Sequence, residues 1–208
     1  MRTLFLARHA HAISNEEVVA SGAVPGEGLT PEGVAQARRL AGAIRGEKID
    51  LGVSSELLRT QETLSLALGS RDIATIVVPE LDEIDFGGFD GGSLEAYRAW
   101  AAAADPAEPA PGGGESRAGA AARYARGVRQ VLERSEEAAF VVGHALCIRY
   151  VVDATRGLVP APLMKPIEHV VPYRLDAEEV LAAAALLEEW SRAPVFRPLP
   201  FRAQLSDD

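Results

Sequence analysis

The apolar run at residues 4 to 12, LFLARHAHA, ends in Arg8, His9 and, one residue later, His11. Three more residues capable of chemistry stand behind other apolar stretches: Arg59 after VSSELL, Glu83 after VVPELD and His144 after FVVG. Arginine presents a planar fork of donors that matches phosphate oxygens and stays charged at any working pH. Histidine, with a reference pKa of roughly 6.5, serves as a neutral nucleophile or a charged donor according to its neighbours. A carboxylic acid nearby can protonate a leaving alkoxide. Two histidines, two arginines and a carboxylate therefore suit phosphoryl transfer. Taken singly, each has an ordinary explanation. Arg8, His9 and His11 could form the polar lip of a surface turn, and Arg59 could be an exposed helix residue. His144 could be a structural histidine, and Glu83, with Asp82 and Asp85, part of a solvated loop.

The elements that must gather these residues follow from the alternation of short apolar runs with helical stretches, which predicts an α/β fold with a mostly parallel central sheet. Strand candidates are Thr3 to Ala7, IDLGVSS, IATIVV and AAFVVG; HVVPYRLD reads as an edge strand because its proline cannot donate to a ladder on one side. LTPEGVAQARRLAGAIRG carries helix signals: Thr30 as N-cap, Pro31 at the first position and Gly46 at the end. ELLRTQETLSLAL, capped by Ser54 or Ser55, and LCIRYVVDATRG, ending near Gly157, are further helices. Asp176 and Glu179 form a capping box that opens AEEVLAAAALLEEWSR. Open α/β sheets bind ligands at the carboxyl ends of their strands, where Arg8, His9, Glu83 and His144 fall. Arg59 falls in the first turn of a helix, where free N–H groups favour anions. From Phe86 to Arg117 the chain turns rich in glycine and proline around a short helical piece, LEAYRAWAAAA, an insertion that reads as an active-site lid or a passive linker.

A net charge of −9 and a pI near 5.0 argue against nucleic-acid binding, so an anionic substrate must be held by a local cluster of cations. The length of 208 residues suits one domain spanning 1–208, with a lid insertion at about 86–117 and a C-terminal helix and tail from about 176. No stretch approaches the roughly 18 apolar residues of a membrane span, and the first apolar run is too short for a secretory signal. Cytoplasmic residence without membrane attachment is the expectation. Cys147, without a CxxC partner, reads as a core residue. Gly112 to Gly114 lack the lysine of a Walker phosphate loop and read as lid or turn.

RHAHAISN, from Arg8 to Asn15, resembles the signature of the histidine phosphatase superfamily, the phosphoglycerate-mutase-like enzymes, whose usual form is RHG followed by an asparagine at the position of Asn15. The similarity recurs in order through LTPEGVAQA, SSELLRTQET, LDEIDFGGFDG, PGGGES and VVGHALCIR, and reaches from residue 1 to about 155. It implies a three-layer α/β/α fold with a short lid. It also implies that His9 is the nucleophile, forming a phosphohistidine through Nε2. Arg8, Arg59 and His144 would form the phosphate pocket, Asn15 would add a side-chain donor, and Glu83 would protonate the leaving group and later activate water. No metal or cofactor is implied, and the partner is a small phosphorylated substrate.

Two departures stand out. Both family HG pairs are HA here, at Ala10 and Ala145, which implies mild crowding if their dihedrals are ordinary. His11, where many relatives carry glutamate, reads as a pocket-rim donor or a surface histidine; His169 lies beyond the matched motifs and is unassigned. The preferred expectation is a metal-independent phosphatase of small phosphate monoesters. The alternatives are a mutase and a catalytically inactive relative that binds a phosphorylated ligand or a protein. Mutases of this superfamily tend to carry a lid rich in basic residues, whereas residues 92 to 115 hold only Arg98. Tyr97 and Trp100 in the lid hint at an uncharged or aromatic leaving group. The oligomeric state is left open.

Overall fold

The structure, a computed structural model, describes residues 1–163 and 165–198. In chain order its strands are β1 (Thr3–Arg8), β2 (Leu51–Ser54), β3 (Ala74–Val77), β4 (Ala138–Gly143) and β5 (Tyr173–Asp176). Its helices are α1 (Ile13–Glu16), α2 (Pro31–Ala43), α3 (Leu58–Leu68), α4 (Leu94–Ala103), α5 (Arg117–Leu132), α6 (Ala145–Ala154) and α7 (Ala177–Arg192).

β1 and β4 are buried on both faces, which is why they read as continuous apolar runs. Their side chains alternate between two cores. Leu4, Leu6, Ala139 and Val141 pack with α5, α6 and α7, while Phe5, Ala7, Phe140 and Val142 pack with α2 and α3. The result is a three-layer α/β/α arrangement around a sheet of order β3-β2-β4-β1-β5. The first four strands are parallel and β5 runs antiparallel at the edge, just after Pro172. No helix among the described residues is long and apolar enough to cross a membrane.

The capping signals at Thr30 and Asp176 act as expected. Thr30 Oγ1 accepts from the Gly33 N–H, and Asp176 and Glu179 close a reciprocal box. α3 differs: it starts at Leu58 with Leu57 as N-cap, so neither Ser54 nor Ser55 caps it, although Ser55 Oγ accepts from the Leu57 N–H while it also meets His144. α5, sixteen residues long, has no counterpart in the sequence reading. Its buried face is largely alanine and glycine, so a close-packed helix lacks the stripe of large apolar residues that usually reveals one. A Cβ on Gly127 would come within 2.7 Å of Leu81, which shows how closely this face packs.

The insertion folds back on itself through its glycines. Gly87 adopts a positive φ of 56° and packs backbone to backbone on Gly114, and the Gly88 N–H donates to Pro111 O. These glycines serve a tight turn, and α4 is laid beside the carboxyl edge of the sheet, with Tyr97 edge-on to Phe86 at 4.6 Å. The tail after residue 198 lies outside the described residues.

Candidate active site

The three central strands put the site together by register. Arg8 pairs with Gly143 and Ser54 with Val142, so the residues that leave β2, β4 and β1 emerge side by side. His9 and His144 consequently face each other with ring centroids 5.3 Å apart. Ser55, one residue past β2, reaches the far side of His144, and Arg59 enters from the first turn of α3.

His9 is 3% exposed, and its Nδ1–H donates to the Ala10 carbonyl at 2.7 Å. A carbonyl only accepts, so the proton sits on Nδ1 and Nε2 keeps its lone pair. Burial, then the charge of Arg59, the neighbouring His144 and the charge of Arg8, hold the His9 pKa well below 6.5, and the ring is neutral at neutral pH. His169, unassigned from sequence, donates from Nδ1 to the His9 carbonyl at 2.6 Å and braces the backbone from the other side.

His144 is fully buried. A guanidinium only donates, so the 3.4 Å contact from Arg59 Nη2 makes His144 Nδ1 the acceptor and places the ring proton on Nε2. That Nε2–H donates to Ser55 Oγ at 2.9 Å, Ser55 donates to Thr60 Oγ1, and Thr60 donates to the Leu57 carbonyl. Burial and then Arg59 and Arg8 depress the His144 pKa as well.

Arg59 is fixed through Nη2–H to the Ser21 carbonyl at 2.8 Å, and Arg8 through Nη1–H to the Ile167 carbonyl at 2.9 Å. Arg8 Nε is buried with no protein partner among the described residues, and burial, against the opposing pull of Glu83, brings its pKa to about 10. Asn15 Oδ1 accepts from the Ala12 N–H, which leaves its amide nitrogen to donate toward the cleft it lines.

Of the three neighbouring carboxylates, only Glu83 lines this cleft. Asp82 accepts from the Glu56 N–H at 2.7 Å and Asp85 from the Gly87 N–H at 2.8 Å. Burial foremost raises the Asp82 pKa to about 6. Glu83 Oε2 stands 3.9 Å from His144 Nδ1. Arg123 clamps its loop by donating to the carbonyls of Glu80, Asp82 and Glu83 while paired with Glu115. Neither Arg123 nor Ser55 carried a sequence signal separable from ordinary packing.

His11 is not among the residues that line the cleft; its Nδ1–H donates to Thr30 Oγ1 at the start of α2. Ala10 and Ala145 both keep negative φ, so the missing glycines cost no backbone strain. Trp100 stacks on Phe89 and Tyr97 and stays out of the cleft lining. Cys147 is buried, as expected of a core residue.

A mostly parallel sheet, layered with helices on both faces, that gathers two histidines and two arginines at its carboxyl edge places the chain among the three-layer α/β/α proteins. The model of the histidine phosphatase superfamily (branch 1) matches residues 4–169, and the chain belongs to that superfamily. An adenosylcobalamin/alpha-ribazole phosphatase of Escherichia coli (strain K12) is 37% identical over 87 residues, 42% of either chain, so the match spans less than half of that relative's length. A 2,3-bisphosphoglycerate-dependent phosphoglycerate mutase of Xanthobacter autotrophicus is 28% identical over 202 residues, covering 87% of this chain and 95% of the mutase. The crystal structure of the alpha-ribazole phosphatase from Shigella flexneri superposes with a TM-score of 0.73 at 24% identity over 84% of this chain and 90% of that one, a likeness of fold.

Proposed function

We propose that this protein is a metal-independent phosphatase that hydrolyses small phosphate monoesters through a phosphohistidine on His9. The observation that carries this reading is the tautomer of His9: its bond to Ala10 leaves a lone pair on Nε2 beside Arg8 and Arg59, which carry no carboxylate within 4 Å among the described residues. A neutral nucleophile next to two fixed cations suits attack on an anionic phosphorus centre.

In the first step Nε2 forms a bond to phosphorus as the ester P–O bond breaks, and Glu83 gives its proton to the departing oxygen. In the second, water attacks phosphorus, Glu83 takes its proton, the N–P bond breaks, and inorganic phosphate leaves with His9 restored. Arg8, Arg59 and Asn15 donate to the non-bridging oxygens in both steps. Burial foremost, then the charges of Arg59 and Arg8, keep His144 neutral, and a bound phosphate opposes those charges. It thereby favours a proton on Nδ1 and turns that atom into a donor to the phosphoryl group. The arginines supply the electrostatic stabilisation for which other phosphoryl-transfer sites use a divalent cation.

Hydrolysis of p-nitrophenyl phosphate in the presence of a metal chelator, by the wild type and by His9→Ala, tests the reading. Chelator-resistant turnover that disappears in the variant is expected. Turnover unchanged in His9→Ala overturns the assignment of the nucleophile.

A further inference from the structure

The cleft in front of His9 extends well past the phosphate pocket, to a volume of about 310 Å³, enough for an aryl-sized leaving group. Its walls are mixed. Phe86, Leu94 and Ile167 give an apolar middle, but the lining carries five cations, Arg8, Arg59, Arg98, Arg117 and Lys165, against one carboxylate, Glu83. A phosphate monoester brings about two negative charges, which leaves two of the five positive charges without a counterpart even with Glu83 ionised, and three with Glu83 carrying the proton it donates. The surplus is conspicuous in a chain whose net charge is −9.

The far wall holds two built-in polar groups, a buried hydroxyl with no hydrogen-bond partner and a buried cation with no carboxylate partner among the described residues. Arg117 is 7% exposed, and its guanidinium lies 5.4 Å from the ring centres of both Tyr150 and Phe196. It donates to Tyr150 Oη and to the Ala161 carbonyl and has no carboxylate within 4 Å among the described residues. A buried charge held this rigidly without a counter-ion is unfavourable unless another anion meets it. Tyr97, 6% exposed on α4, has a hydroxyl with no hydrogen-bond partner among the described residues, and Arg117 is the foremost charge acting on it. Arg98, one residue on, and Lys165, from the loop after α6, are cations on the same lining with no carboxylate partner within 4 Å among the described residues.

We infer that Tyr97 and Arg117, assisted by Arg98 and Lys165, form a second subsite for an anionic group on the leaving moiety, so that the substrate is a phosphate monoester with a carboxylate or second phosphate beyond an apolar body. This rests on the phosphatase reading above and narrows its substrate class. It departs from the uncharged or aromatic leaving group that Tyr97 and Trp100 suggest, because Arg117, which begins the next helix, and Lys165, which arrives from a distant loop, lie outside the lid segment.

The test compares meta- and para-carboxyphenyl phosphate with their uncharged methyl esters. For the wild type, kcat/KM for at least one carboxylate isomer exceeds that of its ester by about tenfold or more, the effect of one good charge-assisted pair. Arg117→Gln collapses this ratio. So does Tyr97→Phe, which removes a hydroxyl that no group among the described residues uses and so preserves the fold. Equal kcat/KM for acid and ester in the wild type, or a ratio unchanged in both variants, overturns the subsite. Calorimetric binding of the same pairs to His9→Ala separates the two claims. Tighter binding of the carboxylate without wild-type turnover indicts the phosphatase reading and upholds the subsite, whereas equal binding alongside turnover indicts the subsite alone.

Discussion

Ser55 Oγ stands 2.9 Å from Nε2 of His144, on the opposite side of the ring from the guanidinium of Arg59. The serine thereby fixes both the ring's orientation and the nitrogen that carries the proton. Ser55→Ala leaves a buried N–H unpaired, at a cost of about 1–3 kcal/mol, and frees the imidazole to turn. We expect kcat to fall by about tenfold or more with KM little changed, because misplacing a transition-state donor affects chemistry more than binding. Steady-state kinetics beside a thermal melt check this, and a loss confined to stability contradicts it.

The proposed mechanism has Glu83, and neither Asp82 nor Asp85, act on the leaving group. Glu83→Gln should lower kcat/KM for an alkyl phosphate by about 10²–10⁴-fold, and much less for p-nitrophenyl phosphate, whose leaving phenolate needs no proton, while kcat falls for both because the second step needs Glu83 to activate water. Asp82→Asn and Asp85→Asn keep an oxygen that can accept the same backbone N–H groups and leave kcat little changed. Equal losses in all three variants would show that the loop matters only as a whole.

Arg59→Lys replaces a fork tied to Ser21 and His144 by a single mobile ammonium. A drop of about a hundredfold or more in kcat/KM is expected, comparable with removal of a preorganised donor. Rates within threefold of wild type contradict the placement of Arg59 in the phosphate pocket.

Because His9 is held neutral well below pH 6.5, kcat/KM should show no acidic limb near that value, and the limb lies well to its acid side. A rate profile from pH 8 downward measures this, and a limb at the ordinary histidine pKa contradicts the burial and charge argument.

Stability has its own pH dependence. His9, His144 and His169 are depressed in the folded protein, His169 to about 4 with burial as the leading cause, yet titrate near 6.5 once unfolded. Above that pH both states carry neutral rings and no slope arises. As pH falls below 6.5 the unfolded chain binds more protons, so stability is lost progressively toward the folded pKa values, by up to ~1.4 kcal/mol per pH unit for each fully buried ring. Denaturant titrations between pH 8 and 5 should show this slope, and His169→Asn should reduce it. A flat profile over that range contradicts it.

Much of the architecture was legible because its central strands are buried on both faces, so β1 and β4 announce themselves as apolar runs ending in polar residues. Arg8, His9 and His144 stand out for the same reason, since they follow such runs, whereas Glu83 stands behind the largely exposed β3 and Arg59 in the helix turn after β2. What stayed hidden depends on packing between distant segments. α5 presents small residues to a tight interface and lacks a large apolar stripe. Ser55 reads as a helix cap until the neighbouring strand places His144 beside it. Arg117 and Lys165 reach the cleft only through the path of the chain after Gly114 and after α6, which no local pattern encodes.

The central claim is that Nε2 of His9 bonds covalently to phosphorus, and the most direct test is to trap that bond. Wild-type protein mixed with p-nitrophenyl phosphate, quenched rapidly and kept alkaline, should gain the mass of one phosphoryl group, mapped by peptide sequencing to His9 and absent from His9→Ala. Turnover without an adduct on His9, or an adduct on His144 instead, would contradict the account.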